Sequence, residues 1–190
     1  MIWMDVLDHP LVVPLDISYV IPGPLAEHHS NAPDAGDTLY RCAGLVPYRD
    51  PNEKRPDYPL RRYRWSRVRE ALTAMAEVND RGEPVHLRYI NPETGESALK
   101  TLDFSARLIR PAETVKLRKT SANRIFQVFG AGDIEVNGTS YHCEDGDTVA
   151  VPTYASVALQ NSSARSSWYL IQVDDVPTQV KLGFYEELVQ

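Results

Sequence analysis

Residues 146–161 read GDTVAVPTYASVALQN, and this stretch decides the fold expected for the chain. Small or polar residues alternate with valine or leucine over Thr148–Val151 and again over Ser156–Leu159, which is typical of short strands that bury one face. A turn around Pro152 separates the two segments. The same period of two continues on both sides, so the sequence predicts an all-β fold.

Strand-like segments follow one another at close spacing after residue 82. They cover Val85–Ile90, Leu99–Ile109, Arg124–Phe129, Asp133–Val136, Ser140–Cys143, Thr148–Val151, Ser156–Leu159, Ser167–Val173 and Gln179–Phe184. The pair Asn137-Gly138 lies between two of these segments and predicts a two-residue hairpin turn. Many short strands joined by turns are typical of a double-sheet jelly roll.

The chain divides into three regions by composition. Residues 1–60 are rich in proline and turn formers, which predicts an irregular arm that wraps around another surface. Residues 61–82 contain one amphipathic helix, because apolar residues recur at helical spacing from Trp65 to Val78. Residues 83–190 hold the predicted strands and are expected to form a β-barrel.

The composition limits the class of protein. With 190 residues, of which 43% are hydrophobic, the chain can bury one sizeable core. The net charge of −6 argues against binding to nucleic acid or to an anionic membrane, since either needs a basic surface. The sequence has no run of 18 apolar residues and no signal-peptide pattern, so a cytoplasmic protein is expected. Cys42 and Cys143 lie far apart and are interpreted as ordinary thiols.

Four segments carry a family resemblance, namely residues 3–8 (WMDVLD), 87–95 (LRYINPETG), 108–111 (LIRP) and 182–185 (LGFY). With these segments the chain resembles the C-terminal half of bicupin ring-cleaving dioxygenases of the gentisate, hydroxynaphthoate and salicylate group. The resemblance implies a cupin fold, which is a double-stranded β-helix jelly roll. It also implies ring opening with O2 at an Fe(II) held by histidines, which in most members lies in an N-terminal barrel that this chain does not contain.

The second cupin motif is present except for its metal ligand. In this family the motif consists of a Gly, five residues, a Pro, and then a late His and Asn, and Gly146, Pro152 and Asn161 match it. Val157 stands where the His belongs. An isopropyl group has no lone pair to donate to a metal, so this motif supplies no ligand.

The first cupin motif, which supplies His-x-His and then Glu, lacks a ligand in either of two alignments. One alignment puts Leu117 and Lys119 at the two histidine positions. The other puts Arg118 and Thr120 there, with Asn123 for the Glu. Strand parity favours the first alignment, because it turns the apolar residues of the strand inward.

Aliphatic and cationic groups are therefore expected at the usual iron position. Val157 and Leu159 lie opposite Leu117 and Lys119 in this interpretation, and a lysine beside a divalent metal would be repelled. We expect no metal and no catalytic residue in this chain. Any Fe(II) would belong to a partner N-terminal cupin.

Other possible ligands are weaker. His142-Cys143 could bind a soft metal, but adjacent residues on a strand point to opposite faces and do not easily reach one ion. The remaining histidines are expected at the surface or in packing, and they are His9, His28, His29 and His86.

Three functions remain open from the sequence. The first is a metal-free cupin half that stabilises and assembles a ring-cleaving dioxygenase, with an N-terminal cupin half or another copy of the chain as partner. The second is an autonomous barrel that binds or senses an aromatic carboxylate through Arg118, Thr120, Gln127 and Tyr154. The third is an active dioxygenase with an unconventional metal site, for which the sequence offers no ligand set.

Overall fold

The structure is a computed structural model that describes residues 4–17, 22–23, 35–53 and 62–188. Much of the proline-rich arm, with His28 and His29, lies outside these residues. The described part contains four helices and eleven strands. In chain order they are α1 (His9–Val12), α2 (Ala35–Leu39), α3 (Trp65–Val78), β1 (Val85–Arg88), β2 (Asp103–Ile109), β3 (Thr114–Leu117), β4 (Lys119–Thr120), β5 (Arg124–Phe129), β6 (Gly132–Val136), β7 (Thr139–Cys143), β8 (Thr148–Val151), β9 (Val157–Gln160), β10 (Trp168–Asp174), α4 (Val176–Leu182) and β11 (Glu187–Leu188).

Two antiparallel sheets form the body of the fold, which confirms the predicted all-β, double-sheet class. One has five strands in the order β1-β2-β10-β5-β8, and the other has four in the order β3-β9-β6-β7. A short pair, β4 and β11, joins the C-terminal segment to the sheets. The core between the sheets consists of Ile109, Leu117, Phe126, Val128, Ile134, Cys143, Val151, Ala155, Val157, Leu159, Trp168 and Leu170.

A tight hairpin connects β6 and β7 where the sequence predicts one. Asn137 has a φ of 51° and Gly138 a φ of 82°. Positive φ at both central residues is what a type I′ turn requires, and Asn and Gly tolerate that conformation best. The turn fixes the register in which Val136 lies opposite Thr139.

Helix α3 has the bounds that the sequence predicts and covers the outer face of the five-stranded sheet. Leu72 is fully buried and packs with Val85, Ala106 and Leu108, which belong to β1 and β2. The helix therefore forms a second, smaller core on the side of the sheet that faces away from the four-stranded sheet. No helix in the described segments is both long and apolar enough to cross a membrane.

The prediction of a last strand over Gln179–Phe184 is wrong. Those residues belong mostly to α4, which has Pro177 in its first turn. The helix is closed by Gly183, its C-cap residue, which has a φ of 75°. The backbone N–H of Phe184 donates to the Gln179 carbonyl, which closes the helix end in the manner of a glycine C-cap. Helices α1, α2 and α4 are additions to the single helix expected from the sequence.

Candidate functional site

The predicted iron position is an aliphatic part of the core. Leu117 on β3 lies directly opposite Val157 on β9, and Val115 lies opposite Leu159 in the same register. Leu117, Val157 and Leu159 are 7%, 4% and 0% exposed and pack together between the sheets. Because carbon side chains offer no donor atoms, this part of the chain does not fit an iron ion.

Lys119 lies beside this position but not within the core. It is half-buried on β4, where its backbone lies opposite Leu188 of β11. Lys116, next to Leu117, is exposed on the other face of β3, as the strand parity of the first alignment requires.

Metal-ligating side chains do not gather elsewhere in the part of the chain that the structure describes. Groups of three or more His, Cys, Asp or Glu residues that could hold an ion are absent from it. His142 is exposed and its Nδ1 lies 3.0 Å from the Asp133 carboxylate, whereas the neighbouring Cys143 is buried in the core. The two residues therefore point to opposite sides of β7. Burial raises the pKa of the Cys143 thiol, which disfavours the thiolate that metals bind.

The structure does not gather the four predicted carboxylate-binding residues in one pocket. Arg118 is exposed and forms an ion pair with Glu187. Gln127 lies on the outer face of β5, where its Oε1 accepts a hydrogen bond from the Thr148 hydroxyl at 2.7 Å. Phe126 and Val128 occupy the inner face of that strand. Residue alternation along β5 therefore turns Gln127 away from the core.

Thr120 and Tyr154 lie closer to each other, near the C-terminal segment. The Tyr154 hydroxyl donates to the Glu186 carboxylate at 2.7 Å, and its backbone N–H donates to the Thr120 carbonyl at 2.7 Å. The Thr120 hydroxyl is buried and accepts a hydrogen bond from Arg124 at 2.9 Å. These contacts fasten β11 to the sheets. The Tyr154 hydroxyl proton is thereby already used in a bond within the protein.

A different polar group lies on the inner face of the five-stranded sheet, and sequence reasoning missed it. The register places His86 next to Arg107, and Ser105 next to Gln172. Arg124 lies on the same face, opposite Asp174. This set of six side chains, called the inner polar cluster below, shares its face with Ile109, Phe126 and Leu170 of the core.

Burial shapes the electrostatics of the inner polar cluster. Burial, together with the charge of Arg124, lowers the pKa of Arg107 to about 10. Burial, together with the charge of Arg107, lowers the pKa of His86 to about 3, so this imidazole is neutral at pH 7. Burial also raises the pKa of the Asp174 carboxyl. The cluster is rich in hydrogen-bond donors and cationic, and it resembles no acid–base or nucleophile arrangement.

One signal in the sequence could have found the cluster. Polar and apolar residues alternate along β2, with Ser105 and Arg107 on one face and Ala106 and Leu108 on the other. Such a pattern is usually interpreted as a polar face toward water. Here α3 covers the apolar face, so the polar face turns inward.

The chain is similar in sequence to known ring-cleaving dioxygenases. The chain is 36% identical over 188 residues to a gentisate 1,2-dioxygenase of a Ralstonia species, covering 97% of this chain and 52% of the relative. It is 34% identical to a 5-aminosalicylate 1,2-dioxygenase of a Comamonas species, covering 98% of this chain and 50% of the relative. No protein-family model matches the chain.

A solved structure supports the same relationship. The fold matches a salicylate 1,2-dioxygenase from Pseudaminobacter salicylatoxidans with a TM-score of 0.83 and 25% identity, over 95% of this chain and 53% of that one. The chain thus spans about half the length of the curated relatives that it matches. It belongs to the family of gentisate and salicylate ring-cleaving dioxygenases and covers about one half of such a protein.

Proposed function

We propose that this chain acts as the metal-free C-terminal cupin half of a gentisate-type ring-cleaving dioxygenase. In this role it stabilises and assembles the enzyme while a separate, iron-bearing cupin half carries out the oxygen chemistry. The observation that carries the proposal is the aliphatic set Leu117, Val157 and Leu159, which occupies the positions where the family resemblance places iron ligands.

The chemistry of those positions supports the proposal. Ring cleavage at Fe(II) needs imidazole or carboxylate donors and open coordination positions for the substrate and O2. Leu117 and Val157 offer only carbon, and the cationic side chains of Lys116 and Lys119 line the cavity beside them. No step of the reaction can therefore be assigned to this chain, and its contribution is structural.

An exposed apolar surface near the C-terminus supports an assembly role. The side chains of this surface project from α4, β11 and the segment between them, and they are Val180 (57% exposed), Leu182 (55%), Phe184 (67%) and Leu188 (46%). Apolar side chains grouped in this way are typical of a surface that another protein covers. We propose that the iron-bearing half docks here.

Elemental analysis and an oxygen-uptake assay test the metal-free role. The purified chain, incubated with Fe(II), is expected to retain far less than one iron per chain and to consume no O2 with gentisate or salicylate. Stoichiometric iron with turnover on either acid would refute the proposal.

A binding assay tests the docking surface. The partner is the part of the Ralstonia gentisate dioxygenase that this chain does not match, expressed separately. The double substitution Leu182→Asp with Phe184→Asp is expected to weaken copurification at least about tenfold, since burial of each large apolar side chain contributes about 1.5–3 kcal/mol. Tyr141→Asp is the matched control, because Tyr141 is an aromatic side chain, 51% exposed, on β7. Equal loss in the control, or association of the chain only with itself, would refute docking at this surface.

A further inference from the structure

The inner polar cluster contains polar atoms that nothing in the described structure satisfies. Ser105 is 5% exposed, and its hydroxyl Oγ is buried without a hydrogen-bond partner. The Nε2 atom of His86 is likewise buried without a partner. A buried polar atom left unpaired loses its hydration without compensation, so two such atoms near one another call for an explanation.

Two arginines of the same cluster have no carboxylate in direct contact. Arg107 donates from Nε to the Gln172 side-chain oxygen at 3.0 Å, and Arg124 donates from Nη2 to the Thr120 hydroxyl at 2.9 Å. Neither guanidinium forms a salt bridge with any residue that the structure describes. Asp174 acts on both guanidinium groups, and Glu187 acts on that of Arg124, only through space. Direct contact with an anion would therefore stabilise these buried charges further.

The cluster has one carboxylate of its own, but that group is already engaged. Asp174 accepts a hydrogen bond from the Gln172 amide at 2.8 Å and another from the Val176 backbone N–H at 3.2 Å. Gln172 thus separates Asp174 from Arg107. Two arginines and one aspartate leave a formal charge of about +1, which matches a singly charged anion better than a dianion such as phosphate.

The neighbouring ion pair between Arg88 and Asp103 does not change the net charge of the cluster. Arg88 lies on the same face at the exposed edge of the cluster and pairs with Asp103 at 2.7 Å, so the two charges offset each other. Their side chains are 50% and 16% exposed. Ser105 lies opposite Arg88 in the register, next to this exposed edge.

We propose that the inner polar cluster binds the carboxylate group of a small monoanion. The carboxylate lies beside Arg107 and accepts further hydrogen bonds from Ser105 Oγ and His86 Nε2, which are its neighbours in the strand register. Arg124 adds positive charge from farther along the same face. A carboxylate has two oxygens with about four acceptor positions, so it can accept hydrogen bonds from Arg107, Ser105 and His86 at once. The low pKa of His86 supports this arrangement, because a neutral ring carries one N–H donor and adds no third positive charge. The proposal does not depend on the assembly role, since it concerns another part of the inner face.

Thermal unfolding of the purified chain with formate or salicylate tests the proposal, with NaCl at equal ionic strength as the reference. Each acid is expected to raise Tm in a saturable manner, because a ligand that binds only the folded state stabilises it. Ser105→Ala is expected to weaken the apparent affinity about 10- to 100-fold, the effect of losing a hydrogen bond to a charged group. This change removes only an atom without a partner, so the fold is retained. Arg107→Met is expected to abolish the effect.

The matched control is Arg165→Met, which removes an exposed arginine whose guanidinium has no hydrogen bond or ion pair with the described residues. It is expected to keep the response of the unmodified chain. Equal affinity for formate and salicylate would assign the carboxylate alone as the ligand, and tighter binding of salicylate would assign an aromatic acid. A Tm rise no larger than that with NaCl, or unchanged affinity in Ser105→Ala, would overturn the proposal. If Arg107→Met does not fold, the Ser105→Ala comparison still decides.

Discussion

Arg110 is expected to anchor helix α3 to the five-stranded sheet, and its replacement by methionine tests this. Its guanidinium donates to the backbone carbonyls of Asn79 at 3.1 Å and Ala76 at 3.4 Å, at the end of the helix. It also donates to the Glu83 carbonyl at 3.1 Å and to the Glu113 carboxylate at 3.2 Å. One side chain thereby satisfies carbonyls that the helix itself leaves unpaired.

The size of the effect follows from burial. The side chains of Arg110 and Glu113 are 8% and 13% exposed, so their ion pair is shielded from water. Removal of one partner from a buried pair costs about 3–5 kcal/mol, because the other charge stays buried alone. Methionine keeps the apolar stem, so little packing is lost with the charge. For a chain of this length that cost lowers Tm by about 6–20 °C.

Differential scanning calorimetry of Arg110→Met against two controls measures this effect. Arg67→Met removes a cation from the exposed face of the same helix, where the pair with Glu70 has side chains 79% and 68% exposed. That change is expected to cost at most about 0.5 kcal/mol. Arg110→Lys keeps the charge but not the fork of donors, and an intermediate loss is expected. A loss in Arg110→Met as small as that in Arg67→Met would show that apolar contacts alone hold the helix.

Three further outcomes follow from the structure. Gly132→Ala would place a Cβ 2.5 Å from the buried ring of Trp168. We expect it to lower the free energy of unfolding in urea by about 1–3 kcal/mol. Gly23→Ala is the control, because its Cβ would meet nothing within 4 Å, and it is expected to leave stability unchanged. Asn161→Ala leaves two backbone carbonyls without their amide donor and is expected to cost about 2–4 kcal/mol by the same assay. Because burial lowers the pKa of His86 to about 3, protonation favours the unfolded chain. The contribution of this group is complete above pH 6.5 and declines below it, by about 2 kcal/mol down to pH 5. His86→Asn is expected to remove that slope, and an unchanged slope would contradict the assignment.

The sequence predicts those elements whose local pattern agrees with their final environment. Helix α3 and strands β5 and β8 have the predicted bounds because their apolar residues recur at the period of the element that forms. The hairpin at Asn137-Gly138 is equally local, since φ > 0 at both positions selects the turn. Elements of this kind depend little on what packs against them.

Helix α4 shows where a local pattern is ambiguous. Val180, Leu182 and Phe184 alternate with polar or small residues, which resembles a strand. These three apolar side chains remain exposed, so the alternation does not reflect burial on one face. The proline in the first turn and Gly183 after the last are the signals that identify the helix.

The inner polar cluster could not be predicted from the sequence, for a different reason. The alternation in β2 fixes which residues share a face, but not which face turns toward the second sheet. That choice depends on α3, which buries Ala106 and Leu108 against Leu72 and leaves the face of Ser105 inward. The orientation of the sheet face thus depends on contacts between residues more than 30 positions apart. A local pattern of period two carries no information about such contacts.

The inner face of this jelly roll therefore combines two environments that we expect to disfavour a metal cation for separate reasons. Around Leu117 and Val157 there is no donor atom, and an ion there would lose its hydration without replacement. At the inner polar cluster donors are abundant and two arginines face one aspartate, so we expect a divalent ion to be disfavoured where we propose that a carboxylate binds. The two environments can be tested apart: iron in the purified chain would refute the first argument, and indifference to formate and salicylate would refute the second. A chain that binds a carboxylate and no iron would satisfy both arguments.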